Sequence, residues 1–185
     1  MKACKEVQFS FGGNLIGAAN GNAIGVYDIY TGDKVADLRG HNSKVRSLQW
    51  LNNGYLLSCG QDGAVYLWEI DGARRIGEFV QKGAYFTSVT HGAGAVFVVG
   101  NDRSVRELSL PDLVQARATD CGVMMGHTAL SVDRGALFTG SVDASKPGTL
   151  RVYNYPMSGD FDDYLCGSAY VTAMRLTLDE NFIIT

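Results

Sequence analysis

The sequence predicts an all-β fold, a series of four-stranded antiparallel sheets stacked around a common axis. Three observations carry that prediction. One pattern recurs with a period near 40 residues, as in repeat architectures whose single unit cannot bury its own apolar faces. Each period holds four short apolar segments separated by tight polar turns. Glycine is abundant at 23 of 185 residues and proline scarce at 3, which suits many short strands joined by turns.

The repeat is clearest at the third segment of each period. Residues 21–29 read GNAIGVYDI, 62–70 DGAVYLWEI, 102–110 DRSVRELSL and 148–155 GTLRVYNY. Each is a polar turn, an apolar strand and a closing pair: Tyr27-Asp28, Trp68-Glu69, Leu108-Ser109 and Tyr153-Asn154. The pairs are spaced by 41, 40 and 45 residues. Upstream lie NLIGAAN (14–20), YLLSCG (55–60), AVFVVG (95–100) and ALFTGS (136–141). Before those come EVQFSF (6–11), VRSLQW (45–50), YFTSVT (85–90) and TALSVD (128–133). Gly12-Gly13, Asn52-Asn53-Gly54, Gly92-Ala93-Gly94 and Arg134-Gly135 join these two segments; such residues accept the positive φ of tight hairpins. A more polar segment such as ARRIGEF (73–79) closes each period as an outer strand. The inner strands are apolar on both faces, so each sheet should be covered on both sides.

At this point a family is recognisable. Gly40-His41, then 26 residues, then Trp68-Glu69, resembles a WD40 repeat. The resemblance covers the whole chain and implies a WD40 β-propeller fragment of about four four-stranded antiparallel blades plus the start of a fifth. The blades fall near 5–40, 44–82, 84–120 and 127–166, with a partial one at 170–185. The second repeat matches the family's buried hydrogen-bond tetrad at His41, Ser58, Asp62 and Trp68. The chemistry supports a structural role, because an indole N–H is donor-only and a buried carboxylate demands donors. The fourth repeat keeps a partial set, Thr139, Asp143 and Tyr153. The third keeps Asp102 but carries Val98 and Leu108, and the first has only Tyr27-Asp28. His91 reads as a turn residue and His127 as the start of a strand; both read as surface or packing residues.

A narrower resemblance rests on KEVQFSFGGNLIGAANGNAIGVY (5–27), GHNSKVRSLQW (40–50), DGAVYLWEI (62–70), GNDRSVRELSL (100–110) and VTAMRLTLDENFIIT (171–185). These stretches resemble the cilia- and flagella-associated protein 57 family of axonemal WD-repeat proteins. That resemblance implies a non-enzymatic protein-interaction scaffold of the axoneme, helping to dock or position inner-arm dyneins on doublet microtubules. It also implies that the rest of the propeller and a C-terminal coiled coil lie outside this chain. A generic cytosolic WD40 adaptor for ubiquitin ligation, trafficking or RNA processing is the alternative, since the fold serves all of these.

Other classes find little support. Net charge is −3 and no Lys/Arg cluster exceeds Arg74-Arg75, which argues against nucleic acid. No apolar run approaches the ~20 residues of a membrane span. Cys4, Cys59, Cys121 and Cys166 form no C-x-x-C pair and read as free thiols. DFDD at 160–163 lacks the glycine and terminal glutamate of a calcium loop and reads as a solvated acidic edge. No catalytic set, cofactor or metal is expected. Recognition is expected on the propeller rim that gathers the loops before each innermost strand and the turns after each second strand. Lys44, Arg46, Gln61, Tyr85, Arg103, Lys146 and Tyr170 lie there.

Overall fold

A computed structural model describes residues 4, 6–143, 147–167, 170–177 and 179–185. Among the described residues sixteen strands form four antiparallel sheets, each a meander in chain order. The first sheet holds β1 (Glu6–Phe9), β2 (Leu15–Asn20), β3 (Ala23–Asp28) and β4 (Lys34–Arg39). The second holds β5 (Val45–Trp50), β6 (Tyr55–Gly60), β7 (Ala64–Glu69) and β8 (Arg74–Val80). The third holds β9 (Phe86–Gly92), β10 (Ala95–Gly100), β11 (Ser104–Ser109) and β12 (Val114–Asp120). The fourth holds β13 (Met125–Ser131), β14 (Ala136–Ser141), β15 (Gly148–Asn154) and β16 (Phe161–Gly167). A two-stranded hairpin, β17 (Arg175–Leu176) and β18 (Ile183–Ile184), follows.

The alternation of side chains along each strand builds the stack. Successive residues of a strand point to opposite faces. In the second sheet Leu56, Tyr66 and Trp68 therefore pack with Ile24, Val26 and Leu38 of the first sheet. Their neighbours Leu57, Cys59, Val65 and Leu67 pack the other way, against Val96, Val98 and Leu108 of the third. The third sheet repeats the device, sending Phe97, Val99 and Val105 towards Leu137 and Tyr153 of the fourth. The hairpin covers Ala129, Phe138 and Leu150 of the fourth sheet with Val171, Met174, Leu176 and Ile183. Strands apolar on both faces are thus buried on both faces. The last strand of each later sheet, β8, β12 and β16, is largely exposed and carries the polar sequence.

Side chains of the innermost strands tie neighbouring sheets together. The Trp50 indole donates to the Gln8 carbonyl at 3.0 Å. The Trp50 carbonyl in turn accepts from His91 Nε2 at 2.8 Å. Ser88 and Thr128 hydroxyls meet at 3.1 Å, and Thr87 Oγ1 donates to the Met125 carbonyl at 3.2 Å. Contrary to the sequence reading, His91 is not in a turn. It lies in β9, its ring bonded across the seam, and burial holds its imidazole below the ordinary histidine value against the opposing pull of that bond. His127 also lies inside its strand, two residues past the start of β13.

Candidate recognition rim and the network beneath it

The second sheet carries a closed polar relay. Trp68 Nε1 donates to Ser58 Oγ at 2.8 Å, and Ser58 Oγ sits 2.7 Å from His41 Nε2. His41 Nδ1 lies 3.0 Å from one Asp62 oxygen and 3.1 Å from the other. The donors fix the roles. The indole N–H occupies a Ser58 lone pair, so the Ser58 hydroxyl proton is free to go to Nε2, and Nδ1–H points at the carboxylate. Asp62 also accepts from the backbone N–H of Asn42 at 2.7 Å and of Ala64 at 3.2 Å. Burial pushes the Asp62 carboxyl up, but the His41 ring and those two N–H groups outweigh it and hold the carboxyl below its usual range. The relay ties the loop before β5 to β6, to β7 and to the turn between them.

Small residues make the space. A Cβ on Gly60 would stand 2.9 Å from Asp62 Oδ1 and 3.0 Å from His41 Nδ1. Tyr66 stacks at 4.4 Å from the His41 ring, and the Arg75 guanidinium lies 4.6 Å above Tyr66. Arg75 therefore roofs the relay as well as sitting on the outer strand.

The other sheets solve the same problem differently. In the third, Val98 and Leu108 are fully buried apolar replacements, and Asp102 forms an ion pair with Arg106. In the first, Asp28 caps the following turn through the N–H groups of Tyr30 and Thr31, at 2.8 and 3.0 Å. In the fourth, Thr139 and Tyr153 turn to other partners, and Asp143 is engaged as well. The Tyr153 hydroxyl lies 3.1 Å from Cys121 Sγ, and Thr139 Oγ1 is 3.5 Å from the Arg151 carbonyl. The polar centre there is Arg151, which sequence reasoning missed. Its guanidinium donates twice to Asp163, at 2.7 and 2.8 Å, and once to the Cys121 carbonyl at 2.7 Å. It also lies 3.7 Å over the Phe161 ring. Asp163 of the DFDD stretch is therefore an ion-pair partner and not simply a solvated acid. The alternation RVY in β15 carries no local signal for this, because the acid comes from the next strand.

The loops at one end of the stack form a rim. Strands alternate in direction, so the loops before β5, β9 and β13 share an end with the turns after β6, β10 and β14. Backbone bonds join them: Gln61 N to Lys44 O at 2.9 Å, and Cys121 N to Arg103 O at 2.7 Å. A cavity of about 520 Å³ opens there, at the starts of the innermost strands. Arg46, Gln61 and Tyr85 line it, with Glu6, Met124 and His127 among their neighbours. Tyr85 is anchored by Asn101 Oδ1 on its N–H at 2.8 Å. Lys44, Arg103 and Tyr170 are exposed outside the opening, and Lys146 lies outside the described residues. Burial, then the charges of Arg175 and Arg46, hold the His127 imidazole below its ordinary value.

Burial pushes the Cys59 thiol well up, away from the thiolate. Among the described residues no group of three or more His, Cys, Asp or Glu converges as a metal site.

Meander sheets of four strands stacked face to face, with an indole–hydroxyl–imidazole–carboxylate relay in one of them, give the chain the fold of a WD40-type β-propeller. Residues 32–69 match the family model of the WD domain, G-beta repeat. Over its whole length the chain is similar to cilia- and flagella-associated protein 57 of Mus musculus. The two are 34% identical over 190 residues, covering 100% of this chain and 15% of the relative. Cilia- and flagella-associated protein 57 C of Tetrahymena thermophila is 30% identical over 207 residues, covering 100% of this chain and 16% of the relative. The chain thus spans about a sixth of the length of these relatives. The beta-propeller domain of Myceliophteria thermophila Cps50 (Swd1) superposes with a TM-score of 0.85 at 16% identity, over 99% of this chain and 63% of that one. That likeness concerns the fold.

Proposed function

We propose that this chain serves as the interaction-bearing part of a non-enzymatic scaffold of the ciliary or flagellar axoneme. In that role it helps to dock or position inner-arm dyneins on doublet microtubules. The observation that carries the reading is similarity along the whole chain to cilia- and flagella-associated protein 57 from two distant organisms. The structure supplies a fitting mechanism. Sheets tied by hydrogen bonds across their seams present loops at fixed angles, and recognition belongs to loops on such rigid supports. The rim around Arg46, Gln61, Tyr85 and Arg103 is the contact surface in this reading, because arginine and tyrosine are effective anchors once desolvated.

The test is localisation of the tagged full-length protein in a ciliated cell, before and after detergent and high salt. Retention on demembranated axonemes through detergent is expected, with release at high salt. A strain lacking the protein should lose inner-arm density and beat abnormally. A diffuse cytosolic or nuclear signal would sink the ciliary assignment and leave the adaptor reading.

A further inference from the structure

The cations outside any ion pair are unevenly placed between the two ends of the stack. At the rim just described, Lys44, Arg46, Lys82 and Arg103 are exposed. Among the described residues none of the four forms an ion pair. The acids at that end are engaged within the chain. Asp62 serves the His41 relay, Asp102 holds Arg106, Asp120 caps the Gly122 N–H at 2.8 Å, and Glu6 faces Arg175 at 3.6 Å. Asp143 is engaged too. The turns at the opposite end show the reverse. Asp33, Asp71, Asp112, Asp133, Asp160 and Asp179 are exposed there, and Arg134 is the single cation among the described turn residues. Of the six described Lys and Arg side chains outside any ion pair, four thus lie at this end, with Arg117 along β12 and Arg134 at the far end.

We propose that the cationic rim docks an acidic, extended peptide segment of a protein partner. This rests on the reading of that rim as the recognition surface and gives its partner a chemistry. Arg46 offers a planar fork to a carboxylate at the wall of the opening, and Lys82 and Arg103 offer further cations on the loops of the next sheet. The opening takes one partner side chain against Val45, Tyr85, Met124 and Val142. A nucleic-acid duplex fits less well. It needs a continuous basic stripe, whereas these cations are spaced around a partly apolar opening. The field between the two ends also steers an acidic segment to the correct end, so salt weakens the encounter.

Fluorescence anisotropy on the chain tests this, using a labelled peptide that alternates glutamate and glycine around a central leucine. Binding should weaken steeply between about 50 and about 500 mM salt. Arg46→Glu and Arg103→Glu should each reduce affinity about tenfold, while Asp71→Lys and Asp112→Lys leave it unchanged. Thermal melts matching the parent chain show that the reversals have not disturbed folding. Absence of binding, binding indifferent to the rim reversals, loss of binding on reversal at the acidic end, or tighter binding of a DNA duplex each overturns the proposal. The same rim reversals in the full-length protein separate the two readings. If axonemal retention falls while the peptide does not bind, the rim stands and the acidic partner is wrong; if neither changes, both are wrong.

Discussion

Asp62 shows how one side chain couples folding to pH. Its carboxyl lies lower in the folded chain than in the unfolded one, so the unfolded state takes up its proton first as pH falls. The stability it contributes is fully present above the ordinary carboxylate range and is lost as pH drops through the folded value. Thermal unfolding should therefore show an acid limb below about pH 4, and Asp62→Asn should flatten it at the cost of lower stability at neutral pH. His41→Ala leaves that carboxylate without its ring donor and should cost about 1.5–3 kcal/mol by chemical denaturation. Ser58→Ala strands both the indole and the imidazole and should cost about 1–3 kcal/mol. The four relay residues were legible in the sequence through the resemblance of the second repeat to a WD40 unit, and the donor-only indole and the carboxylate gave that match its chemical sense. Arg151 was not, since its partners Asp163 and Cys121 are fixed only once β16 and the linker before β13 take their places.

Strands were legible where both faces are buried, because AVFVVG leaves no ambiguity about β10. Seams were not. Nothing local in VRSLQW says that the Trp50 indole reaches the Gln8 carbonyl, or that His91 reaches the Trp50 carbonyl; both bonds depend on how two sheets face one another. The reading of His91 as a turn residue failed for that reason. Glycine at 92 and 94 marks a tight turn, and the histidine belongs to the strand that enters it. Trp50→Phe keeps an aromatic side chain but removes the indole donor and part of the buried ring volume, leaving the Gln8 carbonyl without that partner in the seam. It should cost about 1–3 kcal/mol, with faster hydrogen exchange in β1 than in β10. In the fourth sheet, Arg151→Leu should loosen β16 selectively, read as faster exchange at residues 161–167 with the third sheet unchanged.

At the scale of the whole molecule the first sheet presents an uncovered apolar face. Its free face exposes Val7 at 48%, Phe9 at 61% and Val35 at 49%. An apolar sheet face of this kind is a contact surface wherever a complementary one is available. The 185-residue chain should therefore show concentration-dependent association by sedimentation, and Val7→Lys with Phe9→Lys should reduce it without lowering the melting temperature. A monodisperse parent chain at high concentration would contradict this. The repeat announced the stacking itself, but the sequence could not say which faces lack a neighbour, because an exposed and a buried valine look alike in it.

Trp50 has a mechanical consequence. Its indole reaches back to the first sheet and its carbonyl receives the third, so one residue carries load across two successive seams. Tension applied between the first and third sheets passes in series through the second, which the His41–Asp62 relay also braces from within. Under force the second sheet should be the last of the three to yield, with the outer seams parting first on either side of it. In the axonemal role proposed above, a pull on the scaffold would be borne by this sheet.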